Sequence, residues 1–216
     1  MKTLIKSSLF AAGALLLLPH LAAAQDMKAP NIPAASSQVI EAAIKASFTK
    51  KVPKGWEARL IPDQTMLICS ETRNLPDAKQ ADAIMADAVK SLKVPAGNLI
   101  GDWKAGAVIA QDGAGGRFND KPGRISGGNC YACHQMDPRE VSYGTLGPSL
   151  ANYGADRKFA PEDVKTTYAK IYNPQSTLAC SAMPRFGHNG VLTEQQIKDV
   201  VAYLFDPASP VNKPVK

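Results

Sequence analysis

Beyond its first two dozen residues the sequence has no long apolar run, only two histidines, and no cluster of basic residues. The missing run excludes a later membrane-spanning helix, which needs about 20 apolar residues. Lysine and arginine are scattered, so the basic patch that marks nucleic-acid binding is absent. Internal repeats and low-complexity tracts are also missing, which excludes solenoid architectures. What remains is ordinary globular material: 216 residues, 45% hydrophobic and 20% charged. Those values exclude wholesale disorder and collagen-like or coiled-coil chains. The length suits one domain with a sizeable extension.

The one apolar run reads as a secretory signal over residues 1–24. Lys2 and Lys6 charge its start, Leu9 to Leu18 form the apolar centre, and Ala22-Ala23-Ala24 supplies small residues before a cut at Gln25. Export to the periplasm is the expectation, with no membrane span once the signal is removed. The formal net charge of +6 falls to a mild excess when Lys2 and Lys6 leave.

Four cysteines remain, Cys69, Cys130, Cys133 and Cys180. An even count in an oxidising compartment suggests disulfides. Two of these cysteines, however, stand in Cys130-Tyr131-Ala132-Cys133-His134, the C-x-x-C-H pattern of covalent haem attachment. The two thiols lie one turn apart, suited to adding across the two vinyl groups of haem c, and the adjoining imidazole is placed to ligate the iron. A thioredoxin-like dithiol would follow a strand, whereas here a glycine-rich stretch, 113–128, leads in. A zinc site would want a second ligand pair, and neither Cys69 nor Cys180 belongs to one.

One haem c of the electron-transfer kind needs a sixth ligand. Met136 lies two residues past His134 and cannot easily wrap to the opposite face of the haem. Met183 sits in the loop Ala182-Met183-Pro184-Arg185-Phe186, in the right chain order for the axial position. His188 is its rival and would lower the redox potential. Pro148, in Gly147-Pro148-Ser149, offers a carbonyl that could accept the Nδ1 proton of His134, or simply forms a turn. Cys69 and Cys180 are left to pair as a disulfide; the alternative is a free Cys180 thiol near the haem.

The periodicities are helical throughout. A helix is expected from Ser36 or Ser37 with Ile40, Ile44 and Phe48 aligned, stopped by the Lys50–Gly55 stretch. Met66 to Cys69 reads as strand or helix. Asp77 to Lys93 reads as a helix with Ile84, Met85, Ala88, Val89 and Leu92 on one face. Gly101 to Ala110 opens another, Pro161 to Ile171 a third. Thr193 and Gln196 form a capping box for a last helix carrying Ile197, Val200, Val201 and Leu204. The organisation expected is all-α: a leader, a helical extension over 25–98, a haem domain over 99–208 and a tail over 209–216.

That order of helix, C-x-x-C-H, middle helix, methionine loop and terminal helix resembles a class I cytochrome c. Two stretches are more specific: Gly128-Asn129-Cys130-Tyr131-Ala132-Cys133-His134-Gln135-Met136 running on into Tyr143–Leu150, and Met183-Pro184-Arg185-Phe186-Gly187 before Leu192-Thr193. Together they are similar to the SoxX family, mono-haem subunits of the SoxAX cytochromes of sulfur oxidation. The resemblance implies a periplasmic heterodimer with a SoxA-type cytochrome, which couples thiosulfate to a cysteine of a SoxYZ-type carrier protein. It places the bond-making chemistry on the partner and leaves this chain to pass electrons to a downstream acceptor. It also implies His134 and Met183 as axial ligands and Cys130 and Cys133 as thioethers. The alternative is a free-standing electron carrier. Nothing else in the sequence forms a catalytic constellation.

Overall fold

Capping side chains decide where the helices begin. The protein, described from a computed structural model over residues 35–48, 57–117, 120, 121 and 123–213, contains seven α-helices and no strand among those residues. The leader, the chain up to residue 34, the Lys50–Gly55 stop and the last three residues of the tail lie outside the described residues. Ser36, Asp63, Asp77, Asp102 and Thr193 each accept a backbone N–H of the first turn. These bonds start α1 (Ser37–Ser47), α2 (Gln64–Glu71), α3 (Ala78–Ser91), α4 (Trp103–Gln111) and α7 (Glu194–Phe205). The expected Thr193–Gln196 capping box is present, and Asp77 with Gln80 forms a second. Helix α6 (Pro161–Tyr172) begins instead on Pro161, whose fixed φ suits the first turn. A short α5 (Tyr153–Asp156) lies between the haem motif and α6.

The Met66–Cys69 stretch is helical, because Asp63 caps it. Helix α3 forms where expected, but its buried face is narrower than the periodicity suggests. Ile84 and Ala88 are buried while Val89 is 53% exposed. Helix α1 buries no residue and is tied instead through Ser37, whose backbone N–H and hydroxyl both reach the Glu71 carboxylate of α2.

The core lies where α4 crosses α7. Gly106 brings the two backbones together: a Cβ there would stand 2.0 Å from the Asp199 carbonyl oxygen. Just before α4, Gly101 N–H donates to the Lys198 carbonyl and Asp102 N–H to the Asp199 carboxylate. Helix α7 is polar in its first turn and buried throughout its second half, enclosing Ile197, Val200, Val201, Tyr203, Leu204 and Phe205. Each large side chain so buried contributes roughly 1.5–3 kcal/mol. The packed chain continues past residue 208, since Ser209 and Val211 are fully buried and Asn212 accepts from the N–H groups that begin α5.

Candidate haem-binding site

Asn129, in the left-handed conformation at φ 47°, turns the chain into a single 3-10 turn over Cys130–Ala132. The Cys133 and His134 N–H groups both donate to the Cys130 carbonyl. That turn sets two thiols on neighbouring positions with the imidazole directly after them. The loop beyond is stitched back onto it. Gly144 N–H donates to Tyr131, Gly147 N–H to Cys133 and Leu150 N–H to Gln135, while the Ser149 hydroxyl bonds the Gln135 side chain.

Those bonds place Pro148 beside the histidine. His134 Nδ1 stands 2.7 Å from the Pro148 carbonyl, which can only accept, so Nδ1 carries the proton and Nε2 presents its lone pair. Gly147 lies against the same ring, where a Cβ would stand 2.2 Å from Cε1. The ring is therefore held by a hydrogen bond at one nitrogen and by backbone on its face. Sequence reasoning misses the close approach of Gly147; the Gly-Pro pair beside the motif carries the signal.

Between the two cysteines, Tyr131 is buried and its hydroxyl lies 2.7 Å from that of Tyr203 on α7, while accepting the Asp137 N–H. Burial pushes both phenols above their ordinary value, Tyr203 the further. This pair links the motif to the core, and no local pattern in the sequence announces it. Desolvation also pushes the Cys130 thiol up to about 12. Neither Cys130 nor Cys133 takes part in a disulfide.

Met183 lies in the irregular segment between the Pro174–Ser176 turn and α7, half-buried, with its N–H directed to the Ser181 hydroxyl. Met183 and Cys130 pack against one and the same apolar cluster, which the fold thus brings into common reach of both halves of the predicted ligand set. Met136 is 1% exposed inside that cluster, so its thioether serves packing. His188 is exposed, and partial desolvation with the Arg185 charge lowers its pKa. Cys69 and Cys180 form a disulfide across 111 residues, over a small second cluster with Ile84, Ile68 and Ala179. No free Cys180 thiol exists.

A family model described as cytochrome c matches residues 118–206. The chain is also 37% identical over 193 residues to an uncharacterized lipoprotein of Aquifex aeolicus (strain VF5), which spans 85% of this chain and 91% of that one. The chain carries a cytochrome c domain. Its fold is the all-α class I arrangement, and the match begins after α4 although α4 makes the principal helix crossing with α7.

A cytochrome c is an electron-transfer haem protein, and the residues here fit haem c. The donor set carries that fit, two thiols and an imidazole with Nδ1 already committed on one turn; among the described residues the Tyr168 hydroxyl and Gln175 Oε1 are buried without a hydrogen-bond partner. Burial, with the Glu194 carboxylate next, pushes the Tyr168 phenol up to about 12, so it remains a donor at neutral pH. Cys130 and Cys133 would hold the haem as thioethers, and His134 would ligate iron through Nε2. The bound haem supplies one-electron chemistry. The protein's part is to fix the imidazole's tautomer and direction through Pro148 and Gly147 and to keep an apolar surround.

Proposed function

We propose that this cytochrome c is the SoxX-type subunit of a periplasmic thiosulfate-oxidising complex, holding one haem c between His134 and Met183. The observation that carries the haem reading is the proximal side: two thiols on one turn, and an imidazole whose Nδ1 is committed to Pro148 so that Nε2 is free to bind metal. Met183 completes the pair because Met136 is spent in the core, and a methionine raises the potential relative to His188. A high potential suits an acceptor of electrons released when thiosulfate is joined to a carrier cysteine.

The finer assignment rests on the sequence stretches 128–136, 143–150 and 183–187. The surface next to the haem motif supports a subunit over a free carrier: Val141 is 89% exposed and Leu146 76%, on the loop that returns to Pro148. Apolar side chains grouped beside a redox centre suit a permanent partner, here a SoxA-type cytochrome bearing the bond-making site. In this reading the chain is the electron-transfer member of an L-cysteine S-thiosulfotransferase, working with a SoxYZ-type carrier and a downstream acceptor. The leader, and the lipoprotein name of the Aquifex relative, support an envelope location.

The test is native isolation of the haem-loaded chain from its own periplasm, with partners identified by mass spectrometry. A stoichiometric second cytochrome, in a complex whose haem is reduced only when thiosulfate and carrier are both present, is the expected result. A lone haem protein exchanging electrons with an oxidase would make it a free carrier instead.

A further inference from the structure

The segment carrying Met183 is fastened from one side by a single short helix of the N-terminal extension. Cys180, three residues before the methionine, is bonded to Cys69 in α2. Arg185, two residues after it, donates to Asp63 Oδ2 at 2.7 Å, and Asp63 is the residue that caps α2. The arginine side chain is only 11% exposed, so the pair is partly shielded from water. Six residues of chain separate the two anchors on the α2 side, a rise of about 9 Å. The five-residue stretch they hold could otherwise reach about 17 Å if extended. Cys180 also adopts φ 56°, a left-handed turn that redirects the chain just before Met183.

A second grip acts upstream. Asn173, buried at the end of α6, donates from Nδ2 to the Ser91 hydroxyl at the end of α3. Within the segment itself the restraints are separate turns: Ser181 N–H donates to Leu178, Phe186 N–H to Pro184, Asn189 N–H to Arg185, and the Val191 and Leu192 N–H groups to Phe186, while Gln175 Nε2 reaches the Ser181 carbonyl, Met183 N–H the Ser181 hydroxyl, and the Gly187 and His188 N–H groups the Tyr172 carbonyl. No helix or strand spans 177–193. A stretch built of separate turns, with no regular ladder of hydrogen bonds, keeps its position in part by what it is tied to.

We infer that Cys69 and Asp63 of α2 are positioning residues for Met183: through Cys180 and Arg185 they hold the thioether over the iron against competing ligands. This rests on the reading of Met183 as an iron ligand. It gives the extension, which lies outside the matched cytochrome region, a function in the haem site. An axial methionine exchanges with an external ligand in proportion to the fraction of time it is away from the iron, so loosening its segment raises the apparent affinity for that ligand. The disulfide limits that fraction by restricting the chain on both sides of a long loop.

The experiment uses the full haem-loaded chain and titrates the ferric form with imidazole, following the far-red thioether-to-iron band and the reduction potential. Met183→Ala is the reference and should lack the band and bind imidazole far more tightly. Cys69→Ala combined with Cys180→Ala should bind imidazole at least about tenfold more tightly than the unaltered protein, with a weakened band and a lowered potential, while its helical circular dichroism is retained. Asp63→Asn keeps the cap through its one amide oxygen, because asparagine caps as well as aspartate, and removes both the charge and the acceptor facing Arg185. It should tighten imidazole binding by about threefold.

Wild-type affinity, band and potential in the folded double-cysteine variant, beside an altered Met183→Ala, would overturn the inference and leave the ligand reading intact. If the double variant does not fold, Asp63→Asn decides, and wild-type behaviour there overturns it equally. A Met183→Ala protein indistinguishable from the unaltered one would instead remove the ligand reading on which the inference stands.

Discussion

The two sides of the candidate haem site are built by different means. On the histidine side, everything that orients His134 comes from the stretch 129–150: the Asn129 turn, the Cys130 carbonyl, the Gly147 backbone and the Pro148 oxygen, none more than about 20 residues away in the chain. On the methionine side, local turns are joined by two tethers that reach across the molecule, 111 residues to Cys69 and 122 to Asp63. A ligand fixed by its neighbours in sequence is in place as soon as its loop closes, since short loops close at small entropic cost. One fixed by distant groups is placed only when the whole domain is folded, and is correspondingly open to modulation from outside the loop.

Breaking the local side should have the largest effect. Gly147→Ala puts a methyl group inside the His134 ring, and both the ring and the loop backbone are fixed by hydrogen bonds. A loss of about 3 kcal/mol in denaturant unfolding is expected, with an altered haem spectrum from a misdirected imidazole. The matching change on the other side is milder. Gly187→Ala meets the face of the Tyr172 ring, which is side chain and can shift, so about 1–2 kcal/mol is expected in the same unfolding experiment. Near-equal losses from the two would show that the methionine segment is as rigidly built as the histidine loop.

Tyr203→Phe tests how far the histidine side leans on the core. It leaves the buried Tyr131 hydroxyl without its α7 partner, although the Asp137 N–H remains, and about 1 kcal/mol is expected from thermal or denaturant unfolding. The smallest effect is pH-dependent and belongs to the methionine side. Burial opposes ionisation of Asp63, but the Met66 N–H and the Arg185 guanidinium outweigh it and hold the carboxyl below its ordinary value. A depressed carboxyl contributes stability that is present above its unfolded pKa and is lost as pH falls through the folded one. Stability should therefore drop by under about 1 kcal/mol on acidification below the usual carboxylate range. Asp63→Asn should flatten that part of the profile, and an unchanged acid limb would remove the pair from the account.

Much of the histidine side is legible in the amino-acid sequence. The C-x-x-C-H spacing, the capping box at Thr193 and the apolar rows of α3 and α7 are local signals with local consequences. The contacts of Gly106 with Asp199, Tyr131 with Tyr203 and Asp63 with Arg185 are not legible there, because each joins residues tens of positions apart or more. Periodicity overstates the width of the α3 face for the same reason: it locates a stripe of apolar residues, and only the neighbouring segment settles that Ile84 and Ala88 are covered while Val89 is not.

The sequence alone determined helices α1, α3, α4, α6 and α7, the haem-attachment turn and the cysteines left to pair, since capping, periodicity and a five-residue motif act within a few turns of chain. Tertiary structure decided between the alternatives the sequence left open, with Pro148 accepting from His134 rather than only forming a turn and Cys180 paired with Cys69 rather than free, and it decided what braces the segment of Met183. Those outcomes depend on packing between parts of the chain that only folding brings into contact, and short-range pattern carries no record of them.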